Sequence, residues 1–441
     1  MHVKVTVEVD GRKAGEFEKE VSGRAAEMEE SSLEVGRRAG RIVLESGLIQ
    51  VAQGCRVPVC CGRKMGSRGR RPITVSTMTG PVVYERRRYR CEMCGHEVYA
   101  GDGEILCGPH RVTVPLAKRV CQLATTEHFT RLPRLLADQH GLEMGHEEIA
   151  EIVHEVGGHA DRMRQAEAAS FRSGPCAQRT WPEPEVTPAR VYVSCDGIMY
   201  CTNLREPHPK RPGEKRMVWQ QMRVGCVYWQ DAQDKWHKQV LWGRESVEDF
   251  GAALFRLACR CGYRQAREKL FACDGGDWCW TIHTLYFSEA TGILDWYHAS
   301  EHVWQAAHTL FPEQNAATSW ADQALALMRD RGGTGLREWL QEQLRGRRGM
   351  ARQALNGLIT YVQTKQHLMD YPGYRAAGWQ IGTGMIESTG KQLVGLRLKG
   401  PGMHWSEQGA LAVTALRAID LNGGWHNYWN SLVLTTCTPT N

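Results

Sequence analysis

Two aspartates end apolar runs in the same way. Asp196 closes Val191-Tyr-Val-Ser-Cys-Asp-Gly, and Asp274 repeats the pattern in Leu270-Phe-Ala-Cys-Asp-Gly-Gly. A carboxylate placed so on a strand can face a cleft, and the glycine after it lets a metal ion and a phosphate approach the backbone closely. The same Asp-Gly pair also makes an ordinary turn at a strand end. Asp277, three residues beyond Asp274, competes with it, but it falls past two glycines whereas Asp274 ends the apolar run directly. A third acid is expected on a helix, with Glu301, Glu387 and Glu407 as candidates. Glu387 sits in Gly382-Thr-Gly-Met-Ile-Glu-Ser-Thr-Gly-Lys, a glycine-hinged helix start, with Lys391 one turn on along the same face. Arg397, Lys399 and His404 follow at once and suit backbone phosphates, although a capped surface helix would look the same in isolation.

Two aspartates and a glutamate suit phosphoryl transfer by two hard cations about 4 Å apart, one activating the attacking oxygen and one stabilising the leaving 3′ oxygen. Mg²⁺ prefers carboxylate oxygens and retained waters, so no side-chain nucleophile is required. The chain offers no Ser-His-Asp or Cys-His arrangement and no phosphate-cradling P-loop.

The elements that must position these acids follow from periodicity and turn residues. A strand and then a helix (about 23–46) fill residues 1–50, short strands among Cys, Gly and Arg fill 51–110, and 111–172 reads as helical. Residues 173–189 form a Pro-rich linker, where the main boundary is placed. Strands at 190–201, 222–229 and 238–242 precede a helix at 247–261, a strand at 269–274, a short helix, and a strand at 292–296. A helical block follows, so residues 190–430 read as one domain with an insertion at about 299–375, ending in a tail at 431–441.

Together these stretches resemble the ISKra-type insertion-sequence transposases of the DDE superfamily. The matching motifs are Val-Ser-Cys-Asp-Gly at 193–197, Cys-Asp-Gly-Gly-Asp-Trp at 273–278, Ile-Leu-Asp-Trp-Tyr-His-Ala-Ser-Glu-His at 293–302 and the Glu387 motif, and the likeness spans roughly residues 50–430. The element order is that of an RNase H-like domain, interrupted before its last helix. The expected fold is thus an α/β catalytic core, an RNase H-like mixed sheet with an α-helical insertion. A small Cys-bearing, zinc-ribbon-like and helical DNA-binding region is expected before it. The resemblance assigns Asp196, Asp274 and Glu387 to a catalytic triad holding two Mg²⁺ or Mn²⁺ ions. It also picks out Asp295 and His298, as accessory residues or as a buried pair holding the insert against the core. It implies metal-dependent cleavage and strand transfer on double-stranded DNA, both transposon ends and target, by a homo-oligomer. A structure-selective nuclease and a non-catalytic DNA-binding descendant are the alternatives.

The front end carries Cys91-Glu-Met-Cys94-Gly, half of a tetrahedral zinc site. Relatives suggest a second such pair upstream, but Pro58 stands where its first cysteine would fall. Cys61 is therefore expected to ligate with Cys91 and Cys94, joined by Cys55, or by Cys60 if the turn relaxes; Cys107 and His110 could substitute. Residues 55–131 hold fourteen Lys/Arg against six acids, an electrostatic footprint for a phosphate backbone or merely a solvated face. Residues 132–156 read as helix-turn-helix or a plain helical hairpin, with an acidic second helix. Arg347 and Arg348 in the insertion are expected to join Lys391, Arg397 and Lys399 as DNA contacts. The net charge of +6 is modest, and no apolar run is long enough to span a bilayer. The expected location is cytoplasmic, at the nucleoid, without a membrane partner. Most of the 16 cysteines read as small buried hydrophobes in a reducing compartment.

Overall fold

The computed structural model describes residues 1–173 and 182–432. They divide into two compact units, residues 1–161 with 407–419 and the segment from 424 on, and residues 162–406 with 420–423.

The first unit begins with an antiparallel hairpin, β1 (His2–Val9) and β2 (Arg12–Glu20), followed by α1 (Ala25–Gly54). Sequence patterning found only the first strand, because β2 is mostly charged and buries just Phe17. Two short strands, β3 (Val59–Cys60) and β4 (Arg63–Lys64), precede a three-stranded antiparallel sheet of β5 (Gly66–Thr77), β6 (Gly80–Arg90) and β7 (Glu97–Tyr99). α1 lays Leu48 and Ala52 on Ile73, Val75, Val82 and Tyr84, which alternate inward along β5 and β6 as a half-buried sheet requires. The helices are α2 (Asp102–Ile105), α3 (Val114–Ala124), α4 (Leu132–His140) and α5 (His146–Ser173). α4 ends at Gly141 in the left-handed conformation (φ 61°), so the two helices and the turn between them lie where expected.

The second unit is built on a mixed five-stranded sheet. Its strands are β8 (Arg190–Pro207), β9 (Lys215–Gln230), β10 (Trp236–Gly243), β11 (Glu268–Cys273) and β12 (Thr291–Leu294). Their order is β10-β9-β8-β11-β12, with β8, β9 and β10 antiparallel and β11 and β12 parallel to β8. β8 and β9 run several residues past their expected ends, where charged residues such as Arg205, Glu206 and Arg216 break the apolar pattern. α6 (Val247–Arg260) and α7 (Asp277–Tyr286) bury Phe250, Leu254 and Ile282 against Val191, Val193, Val227 and Phe271 on one face of the sheet.

The helical insertion lies where it was expected. α8 (Trp296–Leu310), α9 (Gln314–Gln343), α10 (Gly349–Lys365) and α11 (Tyr371–Ala376) pack on one another. α9 is kinked at Gly332 (φ 66°), where a Cβ would lie 2.7 Å from the Met369 carbonyl oxygen, so only glycine fits. α12 (Gly384–Gly390), a π-helical turn (Lys391–Gly395) and α13 (Leu396–Leu398) complete the unit.

The expected single domain at 190–430 is corrected at its end. α14 (Glu407–Leu421), up to residue 419, and α15 (Trp425–Ser431) group with the first unit. Gly157 of α5 leaves no room for a side chain against the Ala412 backbone of α14. Arg417 donates to the Thr125 carbonyl, and the Tyr428 hydroxyl donates to the Val156 carbonyl at 2.7 Å. Of the expected linker, residues 174–181 lie outside the described residues, as do residues 433–441 of the tail. Among the described residues, no helix is long and apolar enough to cross a membrane.

Candidate acidic site and cysteine clusters

The sheet itself brings the two aspartates level. β8 and β11 are parallel neighbours in which Phe271 pairs with Val193, and each acid lies three residues further along its own chain. Alternation along β8 sends Val193 and Cys195 into the core and leaves Asp196 on the opposite face with Tyr192 and Ile198. α12 lies against that face, with Gly390 so close that a Cβ would sit 2.7 Å from Ile198 Cδ1. Ile386, Thr389, Gly390 and Leu393 are the inward positions of this segment, and Glu387 comes beside them onto the edge of the cleft.

Asp196, Asp274 and Glu387 thus line one cleft of about 170 Å³, together with Asp295, His298 and Glu301. Asp196 Oδ1 accepts the Gly197 N–H at 2.6 Å. Burial raises the Asp196 pKa, and the Asp274 and Glu387 carboxylates add to the rise, against the Gly197 N–H and His298. Asp274 Oδ1 accepts the Gly276 N–H at 3.0 Å, while its carbonyl oxygen accepts Trp280 Nε1 at 2.9 Å. Glu387 Oε1 accepts the Thr383 hydroxyl at 3.2 Å. Asp277 has a fully exposed side chain, 3.6 Å from Lys365 Nζ, and does not line the cleft.

Asp295 is 3% exposed and ties two elements together. Its Oδ2 caps α8 by accepting the His298 N–H at 2.8 Å, and its Oδ1 accepts the Thr383 N–H at 2.7 Å, just ahead of α12. His298 packs near His302 and Gly275, where a Cβ would lie 2.7 Å from His298 Nε2. Tyr361 of α10 lies over His302 with ring centroids 4.0 Å apart, a contact that sequence reading missed for want of any periodic link between α8 and α10.

The expected basic contacts divide. Lys391, Lys399 and Arg348 are exposed, and Arg347 is half-buried with its guanidinium 5.4 Å from the Phe311 ring. Arg397 corrects the expectation. It is 2% exposed, with its guanidinium 4.8 Å from the Trp405 ring, so it is part of the interior rather than a surface for phosphates.

Two cysteine clusters could hold a structural metal ion. The first joins Cys60, Cys61, Cys91 and Cys94, all sulfurs within 4.8 Å of one another and Cys60 to Cys94 at 3.5 Å. Cys60 takes the place expected for Cys55, whose thiol turns back to the Val51 carbonyl at 3.2 Å; Cys107 and His110 stay outside the cluster. The missing upstream pair is replaced by a tight hairpin in which Cys61 (φ 50°) and Gly62 (φ 75°) both take positive φ, so adjacent cysteines converge. Backbone N–H groups of Cys94 and Met93 lower Cys91 to about 7. The second cluster, Cys195, Cys273 and Cys279, is fully buried, with Cys195 and Cys273 sulfurs 3.6 Å apart. Sequence reading took such cysteines as core fillers, although a cysteine directly before each aspartate was a usable signal. No protein-family model matches the chain, and no curated protein is similar to it.

Proposed function

We propose that the second unit is an RNase H-like catalytic domain of DDE type and that the protein is a DNA transposase resembling the ISKra-type group. One observation carries the reading: two aspartates from adjacent parallel strands and a glutamate from a helix line the same cleft. The strand order, three antiparallel strands followed by two parallel ones with helices between, agrees with an RNase H-like topology. Asp196, Asp274 and Glu387 would hold two Mg²⁺ or Mn²⁺ ions, because carboxylate oxygens suit hard cations. When bound, such ions activate the attacking oxygen and stabilise the leaving one.

The chain's own residues do the positioning. Gly275 leaves the room beside Asp274 that the His298 ring occupies, so the imidazole is held at the edge of the acidic cleft. Asp295 fixes the segment ahead of α12 and hence the placement of Glu387. In the first unit, the four-sulfur set suits a structural Zn²⁺. Arg70, Arg71, Arg87 and Arg90, exposed on β5 and β6, supply positive charge for a DNA backbone. Double-stranded DNA is the partner and a homo-oligomer the working form in this reading.

The test is cleavage of a plasmid carrying the gene's flanking DNA, with Mg²⁺ or Mn²⁺. Asp196→Ala, Asp274→Ala and Glu387→Ala should each lose cleavage by several orders of magnitude while retaining DNA binding, and Asp277→Ala should cleave normally. Normal cleavage by any of the three, in a folded protein, would remove that residue from the triad.

A further inference from the structure

Beside the acidic cleft, in the same unit, lies a second and larger hollow of about 710 Å³. It is formed by the start of α8, Arg329 of α9, Arg375 of α11 and the segment leading into α12. Its character is opposite to that of its neighbour. The acidic cleft is lined by five carboxylates, whereas this hollow is lined by two arginines, three aromatic rings and no carboxylate. Tyr297 lines both, so its ring borders the two spaces. Tyr297 is 65% exposed, with its ring edge beside Gly382. Trp379 is half-buried, braced by stacking on Tyr374 with centroids 5.8 Å apart. Arg375 is exposed; Arg329 is exposed too and pairs with Asp330 at 2.7 Å.

Cations beside aromatic rings match a ligand that joins phosphates to flat bases. The volume lies within the roughly 300–1,000 Å³ of sites that enclose a small molecule. A base inside a duplex has both faces covered by its neighbours and cannot stack on a protein ring, whereas an unpaired base can. We infer that this hollow is a nucleotide subsite. It holds an unpaired nucleotide of the strand that carries the scissile phosphate, its base against Tyr297 and Trp379 and its phosphate at Arg375. The inference rests on the proposed DNA-cleaving function and adds to it a substrate feature, local unpairing next to the reacting phosphate.

The experiment uses the full-length protein with Ca²⁺ to hold off cleavage and follows fluorescence anisotropy of two labelled probes, a short oligothymidylate and a blunt duplex. Wild type should bind both. Tyr297→Ala should weaken oligothymidylate binding by roughly five- to one-hundred-fold, the weight of one base–aromatic stack. It should leave duplex affinity unchanged, and Tyr297→Phe, which keeps the ring, should restore single-strand binding. Arg375→Ala should make the log–log salt slope for oligothymidylate shallower by about 0.7, one phosphate contact on a single strand. Unchanged oligothymidylate affinity in Tyr297→Ala, with circular dichroism matching wild type, would overturn the subsite. Duplex binding and cleavage without any single-strand binding would also overturn it while leaving the proposed function standing. Binding of neither probe would remove both.

Discussion

Asp295 offers the sharpest test of how the acidic cleft is assembled. Its two carboxylate oxygens satisfy two backbone donors in different elements, His298 N–H at 2.8 Å and Thr383 N–H at 2.7 Å, in a site only 3% exposed. Asp295→Asn preserves shape but supplies one acceptor for two donors. Asparagine caps helices about as well as aspartate, so the amide oxygen should stay with α8. The Thr383 N–H would then face an NH₂ group, and a buried donor left unsatisfied costs about 1–3 kcal/mol, with more lost because the original bond was charge-assisted. A net loss of about 2–3 kcal/mol corresponds to a melting point lower by roughly 4–12 °C for a unit of this size. Thermal unfolding followed by circular dichroism without divalent ions measures it. The same samples titrated with Mn²⁺ should show a weakened but present stabilisation, because Glu387 is displaced rather than removed. A wild-type melting point in the metal-free variant would refute the tie between α8 and α12. If the Mn²⁺ response vanished at the same time, Asp295 would be a direct ligand instead.

Two further outcomes follow from the sites described. Asp196 is raised by burial and by the Asp274 and Glu387 carboxylates, so its contribution to metal-free stability is present below its unfolded-state value. That contribution is lost as pH rises through the folded value. At neutral pH, metal-free Asp196→Asn should therefore melt at or above wild type. Mn²⁺ at a hundred times its dissociation constant should stabilise wild type by about 2.7 kcal/mol and the variant hardly at all; equal shifts in both would exclude Asp196 as a ligand. For the first cysteine cluster, protein purified without chelator should carry about one zinc per chain, lost in Cys60→Ser and Cys94→Ser but kept in Cys55→Ser. Elemental analysis decides this, and a zinc count that falls in Cys55→Ser would restore the assignment made from spacing.

Local pattern was enough to place the acids. Apolar runs ending in Asp-Gly placed Asp196 on β8 and Asp274 at the end of β11, and the glycine-hinged segment around Glu387 announced a helix, because period and turn chemistry are written in neighbouring residues. Helical periodicity likewise marked out the insertion from α8 to α11. What local pattern could not carry was anything decided by contacts between distant residues. Arg397 looked like a surface cation because charge alone says nothing of burial, and only its enclosure beside Trp405 makes it internal. Cys60 replaced Cys55 because two successive positive φ angles turn adjacent cysteines onto one ion-sized space, a geometry that ligand spacing does not encode. β2 and the outer ends of β8 and β9 escaped notice because strands exposed on both faces carry no alternation. The return of α14 to the first unit rests on Gly157 admitting the Ala412 backbone, a fit between residues over two hundred positions apart. Sequence named the acids, and the parallel register of β8 and β11 with the close approach of α12 at Gly390 made them one site, since convergence is a property of packing.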